Sequence, residues 1–120
     1  MPLRYTLLFV EDDAAVLEPV RELLSHQGFA VLAAADGYEA LGILTEHHVD
    51  LLFTDIVMPG MSGFELARKA KRILPDLKVL YLTGYAQKAA GHEGRRFGKL
   101  LFKPIRAAAL VDEIREAMVA

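Results

Sequence analysis

Leu51-Leu52-Phe53-Thr54-Asp55-Ile56-Val57-Met58-Pro59-Gly60 is the stretch that sets the reading of this chain. Leu51 to Phe53 is an apolar run of strand length, suited to burial on both faces of a sheet. Asp55 stands where that strand should end. Pro59 and Gly60 stop any continuation and begin a turn. A carboxylate at the end of a buried strand costs free energy unless it is solvated, paired or metal-bound. In open α/β sheets that same edge takes ligands. Asp55 is therefore either a turn residue or a functional group, and the segments around it decide which.

Before it, Leu7-Leu8-Phe9-Val10 is another apolar run, closed by Glu11, Asp12 and Asp13. Val16, Leu17, Val20, Leu23 and Leu24 follow at helical spacing, with Asp13 as the N-cap and Gly28 as the stop. Pro19 lies past the first turn, so a bend near Ala15 or an irregular start is expected. Phe29 to Ala33 reads as a second strand. Asp36 and Glu39 form a capping box for a helix carrying Ala40, Leu41, Ile43 and Leu44. His47 and His48 at its end suit the helix dipole and have no third ligand at metal-binding spacing.

After the opening stretch, Ser62 and Glu65 repeat the capping box. Phe64, Leu66, Ala67, Ala70, Ile73 and Leu74 form an apolar helical stripe. Lys78 to Leu82 and Lys99 to Phe102 read as the fourth and fifth strands, and Leu110, Val111, Ile114, Ala117 and Met118 line a last helix. Between Tyr85 and Gly98 the glycines leave a helix short and weakly specified. This segment is expected to be mobile. Five strands alternating with five helices give a parallel α/β sheet covered on both faces.

The 120 residues suit one domain, residues 1–120, and no output domain is expected after Ala120. A domain of this size needs no disulfide or structural metal to fold. The chain has no cysteine, which suits a reducing compartment and excludes zinc-thiolate sites. A net charge of -2 argues against a nucleic-acid or anionic-membrane partner. No apolar run approaches the ~20 residues of a membrane span, and no signal peptide opens the chain, so a cytoplasmic location is expected.

In a parallel sheet the strand ends share one edge. That edge then carries Glu11 and Asp12 from the first strand, Asp55 from the third, Thr83 from the fourth and Lys103 from the fifth. Clustered carboxylates repel, and the pKa of at least one rises unless a cation neutralises them. Mg2+, a hard ion with oxygen ligands, suits the cluster and would suit a phosphoryl group there. An Asp carboxylate can itself be the nucleophile, giving an aspartyl phosphate. Lys103 can pair with a phosphoryl oxygen and Thr83 can hydrogen-bond another.

With these residues in that order, the sequence resembles the receiver domains of two-component response regulators over nearly its whole length. The resemblance is carried by Glu11-Asp12, by Asp55 with Met58-Pro59 and Gly63, by Thr83-Gly84 and by Lys103-Pro104. The stretches Thr54 to Leu66 and Leu82 to Tyr85 look most like receiver modules of hybrid histidine kinases. The resemblance implies a flavodoxin-like (βα)5 doubly wound sheet of strand order 2-1-3-4-5. It implies Asp55 as phosphoacceptor, with Mg2+ held by Asp55, Asp12, the Val57 carbonyl and, through water, Glu11. Thr83 becomes the switch hydroxyl, Lys103 the phosphoryl contact, and Lys103-Pro104 a cis peptide. The implied partners are a histidine kinase or histidine phosphotransfer protein and a downstream protein, for a monomer or weak dimer that is not an enzyme beyond assisting its own phosphorylation and dephosphorylation. The chain departs from the family at Leu100, where many receivers carry a switching aromatic.

Three other readings use the same fold. An aspartate-nucleophile phosphatase wants a second acid two residues after the nucleophile, where this chain has Val57. A nucleotide-binding module wants a glycine-rich loop after strand one, where this chain has Glu11-Asp12-Asp13. A receiver-like docking module that does not switch is the reading Leu100 leaves open.

Overall fold

The computed structural model describes residues 4–84 and 96–119. Within them lie strands β1 (Thr6–Val10), β2 (Ala30–Ala34), β3 (Leu51–Asp55), β4 (Lys78–Thr83) and β5 (Gly98–Phe102). The helices are α1 (Ala14–His26), α2 (Gly37–Glu46), α3 (Gly63–Ile73) and α4 (Ala107–Val119). The helix expected between Tyr85 and Gly98, and the mobility expected of it, fall on residues 85–95, outside the described residues, except at its end, where Gly98 already opens β5. All four strand pairings are parallel, in the order β2-β1-β3-β4-β5 expected from the sequence.

Alternation along the strands divides the core in two. Leu8, Val10, Leu52, Val79 and Tyr81 face α2 and α3, where they meet Leu44, Phe64, Leu66 and Ala70. Leu7, Phe9, Leu51, Phe53, Leu80 and Leu82 face α1 and α4, where they meet Leu24, Leu110, Val111 and Ile114. Phe9 stacks on Phe53 at 4.8 Å between ring centres, joining β1 to β3. Every residue of β3 is buried, which explains the unbroken apolar run that opens it. Fully burying each such Leu or Phe contributes about 1.5–3 kcal/mol.

The helix starts follow their caps. Asp13 Oδ1 accepts from Ala15 N at 3.0 Å, and α1 then begins regularly and runs through Pro19 to His26. The irregular start expected from Pro19 is absent: Pro19 sits on the exposed side of a helix whose first carbonyl bonds, from Val16 and Leu17 to Asp13, are intact. Asp36 Oδ1 accepts from Glu39 N at 2.8 Å, while Glu39 reaches back to Ala35 N at 2.6 Å, one residue before the cap. Ser62 Oγ caps α3 through Glu65 N at 3.1 Å. Ile73 is 38% exposed and falls off the buried stripe of α3. Leu74, the next residue, packs on the core.

Candidate functional site

Five of the six residues singled out by the sequence stand at the strand ends of one edge or just beyond them. Glu11 follows β1, and its backbone N–H still donates to Ala34 O at 3.1 Å, so its position is fixed by the sheet. Its side chain is only 2% exposed, whereas the neighbouring Asp12 is exposed. Asp55 is the last residue of β3 and Thr83 the last of β4, both buried. Lys103 follows β5, and its N–H continues the ladder to Thr83 O at 2.9 Å. The Lys103-Pro104 peptide is cis, as the resemblance implied. Val57, the sixth, lies two residues past β3 in the following loop.

The side chains close on one another. Lys103 Nζ donates to Glu11 Oε1 at 3.0 Å and to Asp55 Oδ2 at 3.2 Å. The other oxygen of each acid is taken by a backbone amide: Asp13 N donates to Glu11 Oε2 at 3.3 Å, and Ile56 N to Asp55 Oδ1 at 2.7 Å. A buried carboxylate is tolerated here because both its oxygens are satisfied and one faces a cation. Sequence reasoning assigned Lys103 to a phosphoryl group and missed its grip on Glu11. That contact joins residues 92 apart in the chain and leaves no local signal.

The electrostatics follow from burial. Burial raises the Glu11 carboxyl above its usual pKa and the nearby Asp55 charge raises it further, while the Lys103 hydrogen bond offsets part of the rise. At Lys103 burial acts downward, but the bonds to Glu11 and Asp55 outweigh it and hold the ammonium above its usual value. The rise expected for one of the clustered acids is therefore Glu11's.

Glu11, Asp12 and Asp55 each offer an oxygen within 4.8 Å of the others, the one such cluster of possible metal ligands among the described residues. An all-carboxylate set at this spacing fits a hard divalent ion such as Mg2+. Behind Asp55 the backbone is as tightly built. A β-carbon at Gly63 would collide with Asp55 O and lie 2.9 Å from Ile56 Cα. Only glycine lets α3 begin there, with Gly63 N donating to Ile56 O at 2.8 Å.

The sequence profile of the response regulator receiver domain matches residues 7–115. The chain belongs to the response regulator receiver domain family. It is 39% identical over 116 residues to the response regulator receiver protein CpdR of Brucella abortus, covering 95% of this chain and 97% of that protein. The receiver domain of the hybrid histidine kinase CckA is 36% identical and superposes with a TM-score of 0.81, over 94% of this chain and 98% of that one. The response regulator TrrA of Thermotoga maritima, whose crystal structure is a complex with Mg(2+)-BeF, is 26% identical with a TM-score of 0.87, over 94% and 98%. As a family member the chain is a phosphoacceptor module of two-component signalling, and receivers are in general signalling modules rather than enzymes. Among the described residues, no helix is long and apolar enough to cross a membrane.

Proposed function

We propose that Asp55 is the phosphoacceptor and that it takes its phosphoryl group from a phosphohistidine on a histidine kinase or phosphotransfer protein. The observation that carries this reading is the placement of Lys103 Nζ on Asp55 Oδ2 inside the Glu11-Asp12-Asp55 cluster. In the transfer a carboxylate oxygen of Asp55 forms the new P–O bond. The P–N bond to the imidazole breaks, and its electron pair stays on the ring nitrogen. Lys103 then exchanges its carboxylate contact for a phosphoryl oxygen, and the Thr83 hydroxyl donates to another. Glu11, Asp12, Asp55 and the Val57 carbonyl would hold Mg2+, which when bound offsets the negative charge gathered at the phosphoryl group. The same groups would serve the chain's own dephosphorylation, with water replacing the histidine.

A partner reads the conformation that the phosphorylated site favours. We place this exchange in the cytoplasm, where a cysteine-free acidic chain of this composition is at home, and between monomers or weak dimers. A second reading, docking without switching, is favoured by Leu100. It packs half-buried against the core beside Tyr81, its register partner, where the family often keeps a mobile ring.

Incubating the protein and Asp55→Asn with a phosphodonor and Mg2+ tests the acceptor. Acid-labile labelling of the parent and none of the variant is expected. Undiminished labelling of the variant would sink the assignment. NMR spectra with and without beryllofluoride separate the two readings, since docking alone predicts no shift at Thr83.

A further inference from the structure

The loop that follows Asp55 is gripped from the side by the first turn of α2. Gly60 has φ +83°, a left-handed conformation suited to glycine, so the turn of the loop depends on this residue. Tyr38 covers it. A β-carbon on Gly60 would lie 3.2 Å from Tyr38 Cε2 and 3.8 Å from the Tyr38 hydroxyl, so the ring stands on the side of Gly60 where a side chain would project. One residue on, the arrangement is reversed. A β-carbon on Gly37 would lie 2.7 Å from Met61 Sδ, so Gly37 leaves room for a methionine that is 1% exposed. Two successive residues of α2 thus meet two successive residues of the loop, each pair a glycine and a large side chain.

The platform is firm. α2 is capped by Asp36, braced by the Glu39 bond to Ala35 N, and anchored in the core by Ala40 and Leu44. Tyr38 itself is 64% exposed. A ring mostly in water contributes little to global stability, and core packing does not account for its place. What it does flank is Gly60, the left-handed turn between Val57 and Gly63. We propose that Tyr38 is a positioning residue for the acceptor loop: its ring, seated on Gly60, limits the loop to the shape in which the Val57 carbonyl and Asp55 take the metal ion. The inference rests on the phosphoacceptor reading above and adds to it a residue outside the strand-end cluster.

The test compares the parent, Tyr38→Phe and Tyr38→Ala. Mg2+ affinity is measured by calorimetry. Amide hydrogen exchange of residues 57–61 is followed in metal-free protein, and Asp55 labelling with acetyl phosphate at subsaturating Mg2+. Tyr38→Ala is expected to weaken Mg2+ binding about tenfold, to speed exchange in the loop and to slow labelling, with its urea midpoint near the parent's. Tyr38→Phe, which keeps the ring, is expected to match the parent in all three. Parent-like Mg2+ affinity and loop exchange in Tyr38→Ala overturn the proposal. So does a defect seen only in transfer from a protein phosphodonor, which would make the ring a docking contact. A parent that Asp55→Asn matches in labelling sinks the acceptor reading instead, whatever Tyr38→Ala does.

Discussion

Lys103 Nζ lies 3.0 Å from Glu11 Oε1, so the ammonium from β5 closes the site over the acid that follows β1. Together with its 3.2 Å contact to Asp55, this makes Lys103 the resident counter-charge of the acidic cluster. It occupies oxygens that a divalent ion would also use.

Lys103→Met should therefore tighten Mg2+ binding while weakening the metal-free fold. Removing the ammonium leaves two buried carboxylate oxygens unpaired, at a cost of about 1–3 kcal/mol. Calorimetric titration and urea unfolding in EDTA read the two effects. Looser Mg2+ binding, or an unchanged urea midpoint, would show that Lys103 does not neutralise the cluster.

Glu11 gives the stability of the metal-free protein a defined slope with pH. Its folded pKa is raised, first by burial and then by the Asp55 charge. The folded state holds the proton to higher pH than the unfolded chain, so stability falls as pH rises from the ordinary carboxylate range through the folded value. Glu11→Gln lacks this loss. The variant should be the more stable protein at pH 7, and the difference should close in acid below that range. Urea midpoints in EDTA from pH 3 to 7 check it, and a gap that widens in acid would contradict the sign.

Asp12 is exposed and makes no contact that the fold needs, so its part in the cluster is separable from stability. Mg2+ at 100 times its dissociation constant should stabilise the parent by about 2.7 kcal/mol. Asp12→Asn should lose most of that increment yet lie within about 0.5 kcal/mol of the parent without metal. Thermal unfolding with and without Mg2+ reads both numbers, and a full increment in the variant would remove Asp12 from the ligand set.

Gly63→Ala should disturb Asp55 from behind. Alanine gains up to about 1 kcal/mol over glycine in a helix. The added carbon, however, meets the backbone of Asp55 and Ile56, which cannot swing aside as a side chain can. Overpacking of this kind costs about 1–3 kcal/mol, so a net loss of stability and slower Asp55 labelling are expected. A variant as stable and as readily labelled as the parent would show that α3 has room to retreat.

Much of this could be read from the chain because its signals are local. β3 announces itself by a run of apolar residues that only a doubly covered strand requires, and Asp13, Asp36 and Ser62 mark three helix starts by capping chemistry within three residues. The strand-end positions of Glu11, Asp55, Thr83 and Lys103 follow once the sheet is parallel. What the chain concealed is long-range. The Glu11–Lys103 bond, the close approach of Gly63 to Asp55 O and the seat of Tyr38 on Gly60 each join separate elements, and no spacing rule reaches across them. Pro19 misled for a different reason: it lies on the solvent side of α1 and leaves the first turn, with its bonds from Val16 and Leu17 to Asp13, intact.

The order of the strands makes the site mechanically uneven. Its acids hang from β1 and β3, each flanked by strands on both sides and tied together by the Phe9–Phe53 stack. Its ammonium hangs from β5, at the margin of the sheet with a single neighbour. Margins fray before centres do. A transient opening of β5 therefore withdraws the counter-charge while the three acids keep their spacing, so the chain presents one fixed wall and one hinged wall to whatever enters.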